Sequence, residues 1–209
     1  MFSVSVVVLA WVVRAQVTPV VTFDEASINS ATITTRASPG LRQVLLIWQE
    51  LFQARWVNLV SAGLCVWVWR RHRLGSSASW AFLTLMVSWN IGLNVKFLVR
   101  RVRPVVEDAV SHAPGYSFPS GHAANTAAAG VALPVLVWRL LGPKAKVVVP
   151  TVVTAVVLVT AFDRVFLGVH YPSDAVGGIL LGGALASASY LGFSESRLFA
   201  HIFSVRPNP

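Results

Sequence analysis

Three short polar stretches interrupt an apolar chain, and their residue types are those that handle anions. The first runs Lys96-Phe-Leu-Val-Arg100-Arg101-Val-Arg103-Pro104. At the end of a span, positions 96, 100 and 103 fall on one helical face by the i, i+4, i+7 spacing, so three cations line a stripe that needs an anion, while Arg101 lies off it and matters less. The second is Pro119-Ser120-Gly121-His122, directly before an Ala-rich run. There Ser120 is placed to cap a helix, the free N–H groups around Gly121 can receive an anion, and His122 enters in the first turn. The third is Asp163-Arg164 followed by His170-Tyr-Pro172-Ser-Asp174. Pro172 suits the first turn of a helix, which leaves His170 just outside it and Asp174 close enough to orient one ring nitrogen.

Taken singly, each stretch has an ordinary explanation: snorkelling cations, a helix cap, a solvated histidine. Together they supply Lys96, Arg103 and Arg164 as cations, Ser120 and Gly121 at a helix start, two histidines and a carboxylate. That set can transfer a phosphoryl group without a metal. His170 would attack phosphorus, Asp174 would orient it, His122 would protonate the leaving oxygen, and the cations would neutralise the equatorial oxygens. A two-metal phosphatase needs clustered carboxylates, and the loops in question offer few beyond Asp163, Asp174 and the polar-loop pair Glu107 and Asp108. No metal and no cofactor are expected.

What must position these residues is a membrane bundle. Of 209 residues, 55% are hydrophobic and only 12% charged, with a mean hydropathy of +0.66, which excludes an ordinary soluble domain. Six spans of about 20 residues would use about 120 positions and leave short loops. Apolar runs at 53–69, 80–99, 122–141, 147–162 and 174–193 read as five spans, and 2–13 as a short first one or as a signal-like segment, although no convincing small-residue cleavage site follows it. The stretch 24–42 reads as a segment lying on the membrane. The organisation expected is a short first span and interfacial segment (1–43), a membrane core (44–193) and a cytoplasmic tail (194–209). Loop parity puts 100–121 and 163–173 on one side. Arg70, Arg71 and Arg73, with Lys144 and Lys146, fall on the other, which the basic clusters mark as cytoplasmic. The formal charge of +9 then suits anionic lipid and an anionic substrate instead of nucleic acid. Cys65 stands alone and permits no intrachain disulfide.

In order and spacing the three stretches resemble the motifs of the type 2 phosphatidic acid phosphatase family, K-x6-R-P, P-S-G-H and S-R-x5-H-x3-D. The first matches Lys96 to Pro104, the second Pro119 to His122, the third Arg164, His170 and Asp174. The resemblance implies an all-α, six-span membrane enzyme with its active site at the extracytoplasmic interface, acting on a lipid phosphate or diphosphate. By it His170 is the nucleophile, Asp174 its orienter, His122 the general acid, and Lys96, Arg103, Ser120, Gly121 and Arg164 the phosphate cradle. Asp163 departs from the family's Ser, and a carboxylate there either pairs with Arg164 or repels a phosphate. Two alternatives stay open: a vanadate-dependent haloperoxidase, and a non-catalytic relative that binds or transports an anionic lipid.

Overall fold

The computed structural model describes residues 2–105 and 110–204, so Glu107 and Asp108 lie outside the described residues. All regular structure among these residues is helical, as a chain in hydrocarbon requires when every backbone N–H and C=O must find a partner within its own segment. The elements are α1 (Phe2–Arg14), α2 (Thr18–Ala37), α3 (Pro39–Leu51), α4 (Ala54–His72), α5 (Gly75–Val99), α6 (Gly121–Val137), α7 (Pro143–Phe166) and α8 (Pro172–Ser204). A short 3₁₀ turn, Trp138–Leu140, extends α6. Helices α5, α7, α8 and α6 with its 3₁₀ extension are each long and apolar enough to cross a membrane. The pairs α1/α2 and α3/α4 pass the same test only jointly, bent by 84° and 50°, which gives up to six spans.

Two differences from the sequence reading matter for the site. Residues 24–42 form α2 and the start of α3, and α2 buries Asp24, Ile28, Ala31, Thr32 and Thr35. Asp24 accepts a hydrogen bond from Ser173 N at 3.0 Å, and Thr35 donates one to Phe166 O at 2.8 Å. Both ends of α2 thus meet the short α7–α8 connection, and the helix lies across that end of the bundle. At the far end of the chain there is no break near residue 193, since α8 continues to Ser204.

The bundle's centre is a contact between α6 and α8 built from small residues. Ala123, Ala128, Ala132 and Ala186 have no exposed surface. A Cβ added at Gly182 would sit 2.0 Å from Ala124 O, and one at Gly178 would sit 2.5 Å from Ser120 O. Backbone therefore lies directly on backbone, the arrangement that lets helices associate where lipid supplies no hydrophobic drive. Gly183, one residue on, has nothing within 4 Å of its missing Cβ. Gly182→Ala is expected to lower stability by about 1–3 kcal/mol, because the helices must move apart. Gly183→Ala should be neutral or slightly stabilising through helix propensity. Thermal unfolding in detergent checks the pair, and equal midpoints would refute the close-packing account.

Candidate active site

Helix α5 ends at Val99 because Arg100 takes the left-handed conformation, φ 54°, and returns its N–H to Lys96 O. The expected stripe of 96, 100 and 103 therefore does not form. Arg100 bonds only its own helix end, through Phe97 O at 2.9 Å, whereas Arg101 and Arg103 leave the helix in an extended segment and turn inward. The stripe failed because i, i+4, i+7 spacing places side chains together only while the helix persists.

The cations that reach the site hold its loops by backbone carbonyls. Lys96 Nζ donates to Tyr116 O at 3.0 Å and Pro119 O at 2.8 Å, fixing the segment before α6. Arg103 donates to Gly115 O and Pro114 O on one side and to Val169 O at 2.7 Å on the other. Its Nη1 lies 3.3 Å from His170 Nε2. One guanidinium thus ties the α5–α6 loop to the α7–α8 connection and faces the ring nitrogen that would attack phosphorus.

Ser120 occupies the position before α6, but its side chain caps nothing, contrary to the sequence expectation. The helix start is instead anchored by backbone, with Ser120 N donating to Asp174 O at 2.9 Å. This leaves Ser120 Oγ buried without a partner among the described residues. His122 Nε2 is in the same condition, while the ring is hydrogen-bonded to the Gln49 backbone. Buried polar atoms without partners are uncommon in folded proteins, and two within three residues at a helix start mark where a ligand's oxygens would be met. Gly121 lies between them, with Lys96 Cε 4.0 Å from the place of its missing Cβ.

His170 sits in the connection before α8, as Pro172 at the start of that helix requires. Its Nδ1 is 3.5 Å from Asp174 Oδ2, a long approach of the kind that tightens when substrate binds. Burial holds the imidazole well below its ordinary value, at about 4, with Asp174 opposing and the cations Lys96 and Arg103 adding to the depression. The ring is therefore neutral near pH 7, the form in which Nε2 carries a lone pair.

Asp163, the departure from the motif, pairs with its neighbour. Arg164 donates through Nε and Nη2 to Asp163 Oδ2, at 2.9 and 2.6 Å, and through Nη2 to Gln49 Oε1 at 2.8 Å. Both members of this ion pair are buried. Of the two expectations for Asp163, pairing is the one the geometry realises.

The residues the sequence reading missed form a second layer around Asp174. Its Oδ1 accepts from Arg101 Nη1 at 2.7 Å, and its Oδ2 from Tyr171 N at 2.9 Å. Arg101 Nη2 reaches across to Asp24 Oδ2 at 2.7 Å, and the guanidinium lies 4.1 Å over the Tyr171 ring. Asp24 also accepts from Ser173 N and Ser173 Oγ. The signal for Asp24 was thin: it is one of only 8 Asp and Glu in the chain, yet it stands beside Glu25 in a stretch rich in Ser, Asn and Thr. None existed for Gln49, whose amide joins Arg164 and Ser111 from α3. Among the described residues, no group of three or more His, Cys, Asp or Glu is arranged to hold a metal ion.

Comparison with known proteins agrees with this architecture. The family model described as "PAP2 superfamily" matches residues 77–198. The decaprenylphosphoryl-5-phosphoribose phosphatase of Mycobacterium tuberculosis is 34% identical over 136 residues, which cover 63% of this chain and 68% of that protein. A putative undecaprenyl-diphosphatase of Escherichia coli is 34% identical over 148 residues, covering 69% of this chain and 60% of that one. The transmembrane PAP2 type phosphatidylglycerolphosphate phosphatase from Bacillus subtilis superposes with a TM-score of 0.81 at 25% identity, over 92% of this chain and 96% of its own. With a match spanning more than half its length, and with similar proteins named as phosphatases of lipid phosphates, the chain belongs to the PAP2 superfamily.

Proposed function

We propose that this protein is an integral-membrane lipid phosphatase that hydrolyses a lipid phosphate or diphosphate through a phosphohistidine, with its active site on the extracytoplasmic side of a plasma membrane. The observation that carries this reading is the pair Ser120 Oγ and His122 Nε2, without partners among the described residues, at a helix start where His122 and Lys96 line one cavity and where Ser120 N is bonded to Asp174 O, beside the His170 ring that Arg103 faces. In the first step His170 Nε2 attacks phosphorus, the bond from phosphorus to the lipid oxygen breaks, and His122 gives that oxygen a proton. In the second, His122 takes a proton from water, whose oxygen displaces His170 and releases inorganic phosphate. Lys96, Arg103, Arg164 and the N–H groups at the start of α6 stabilise the charge on the transferring group. The pairing of Asp163 with Arg164 takes away the repulsion on which the non-catalytic alternative depended. The long apolar helices favour a membrane enzyme over a soluble haloperoxidase.

Phosphate release from a panel of phosphatidate, phosphatidylglycerol phosphate and polyprenyl phosphates, using the purified protein in detergent, tests the reaction. Activity should survive a chelator, and vanadate, which adopts the five-coordinate geometry of phosphoryl transfer, should compete with the lipid. Loss on chelation with recovery on adding Mg²⁺, and no vanadate inhibition, would refute the mechanism. For sidedness, a Cys65→Ser background carrying Gly115→Cys should react with an impermeant thiol reagent in intact cells. The same background carrying Gly142→Cys should not. The reverse pattern would place the site in the cytoplasm.

A further inference from the structure

A cavity of about 290 Å³ opens between α4, α5 and α6, running from Lys96, Gly121 and His122 along Trp89, Leu93 and Asn125. Its walls are mainly apolar, yet Asn125 lies on it with only 2% of its surface exposed. Both polar atoms of that side chain, Oδ1 and Nδ2, are buried without a hydrogen-bond partner among the described residues. A buried amide left unpaired is costly, and more so within a bilayer, where water does not replace the missing partners. Its helix neighbours Ala123, Ala124, Ala127, Ala128 and Ala129 are small and apolar and offer it no side-chain partner, while the adjacent polar residue, Thr126, faces a different cavity with Val57 and Val157. Such a group points to a ligand.

Its position says which part of the ligand. Asn125 follows His122 by three residues on one helix, so it shares that face and lies about 4.5 Å deeper along the axis. His122 is the residue assigned to the leaving oxygen. An amide one turn deeper therefore meets the atoms that follow that oxygen in the leaving group, two or three bonds beyond it. A primary amide offers a donor and an acceptor side by side, and a hydroxyl can use both. An ester carbonyl would use only the donor, and a plain alkyl or prenyl chain would use neither.

We infer that Asn125 is a specificity-determining residue that binds a hydroxyl on the leaving group close to the scissile bond, so that the preferred substrates are lipids phosphorylated on a polyol, a glycerol or a sugar, instead of bare prenyl phosphates. Asn125 Nδ2 donates to the hydroxyl oxygen and Oδ1 accepts its proton. This rests on the phosphatase reading above and narrows its substrate class. The mostly apolar walls then receive the chain that follows.

The test uses a matched pair of substrates, lysophosphatidate and its 2-deoxy analogue, which differ only in the hydroxyl next to the phosphorylated carbon. The wild-type protein in detergent should show kcat/KM at least about tenfold higher for the hydroxylated lipid, because the analogue leaves the amide unpaired. In Asn125→Ala that ratio should fall to about one, and in Asn125→Ser it should be partly retained. Both substrates are read on one preparation, so a fold-wide loss lowers both rates and leaves the ratio interpretable, and the wild-type ratio needs no variant. A wild-type ratio near one, a preference for the deoxy lipid, or a ratio that persists in Asn125→Ala would each overturn the assignment while leaving the phosphatase reading standing. Absence of phosphate release from both lipids and from the wider panel would overturn that reading, and this inference with it.

Discussion

His170→Ala is expected to lose phosphate release by at least about 10³-fold while the protein still extracts and melts like the parent. A covalent route has no substitute for its nucleophile, and single members of such catalytic sets carry most of the collective effect. Lys96, Arg103 and Arg164 would remain in place and hold the substrate phosphate, so the loss should fall on kcat and leave KM little changed. Brief incubation of the parent with lipid labelled in its phosphate should leave a protein-bound label that is stable to base and lost in acid, and His170→Ala should leave none. Substantial turnover by a clean preparation of the variant would end the nucleophile assignment.

Arg101→Gln should be the most destabilising single change at this end of the bundle. The guanidinium stands between two carboxylates, Asp24 and Asp174, that have no exposed surface, and its own side chain is only 11% exposed. Removing the cation leaves two buried anions facing each other, and breaking a buried pair typically costs about 3–5 kcal/mol. Turnover should fall as well, because Asp174 loses the contact that fixes its Oδ1 while Oδ2 faces His170. Adding Asp24→Asn to Arg101→Gln should recover part of the stability by removing one stranded charge, and a double-mutant cycle on the unfolding midpoints measures it. An Arg101→Gln midpoint within ~0.5 kcal/mol of the parent would contradict the buried network.

The expectation for Arg101 had been the opposite, and the reason shows what a sequence can carry. The starts of α6 at Gly121 and of α8 at Pro172 were legible because each is local: residue types and a proline place a helix start within a turn or two. The span pattern was legible for a similar reason, since hydrocarbon demands long apolar runs. Arg101 was misplaced because the helix stops at Val99, and nothing in the local pattern marks Arg100 as the residue that turns left-handed. Asp24 and Arg101 are 77 residues apart, and Asp24 and Ser173 are 149 apart. Their meeting depends on α2 folding over the end of the bundle, which no periodicity encodes. The unfilled Ser120 hydroxyl was likewise invisible, because the sequence says only that such a residue can cap a helix.

The glycine contact between α6 and α8 sets the mechanical character of the catalyst. Asp174 begins one helix, with His170 just ahead of it, and His122 begins the other. Gly178 and Gly182 let the two backbones touch with no side chain between them to compress or rotate. The separation of the His170 and His122 rings is therefore set by a rigid joint between helix backbones. The cavity beside that joint is bordered by α4 and α5, through which a lipid from the bilayer would reach it. Such an enzyme feels its membrane through how readily a lipid enters, while the alignment of its reacting groups stays the same.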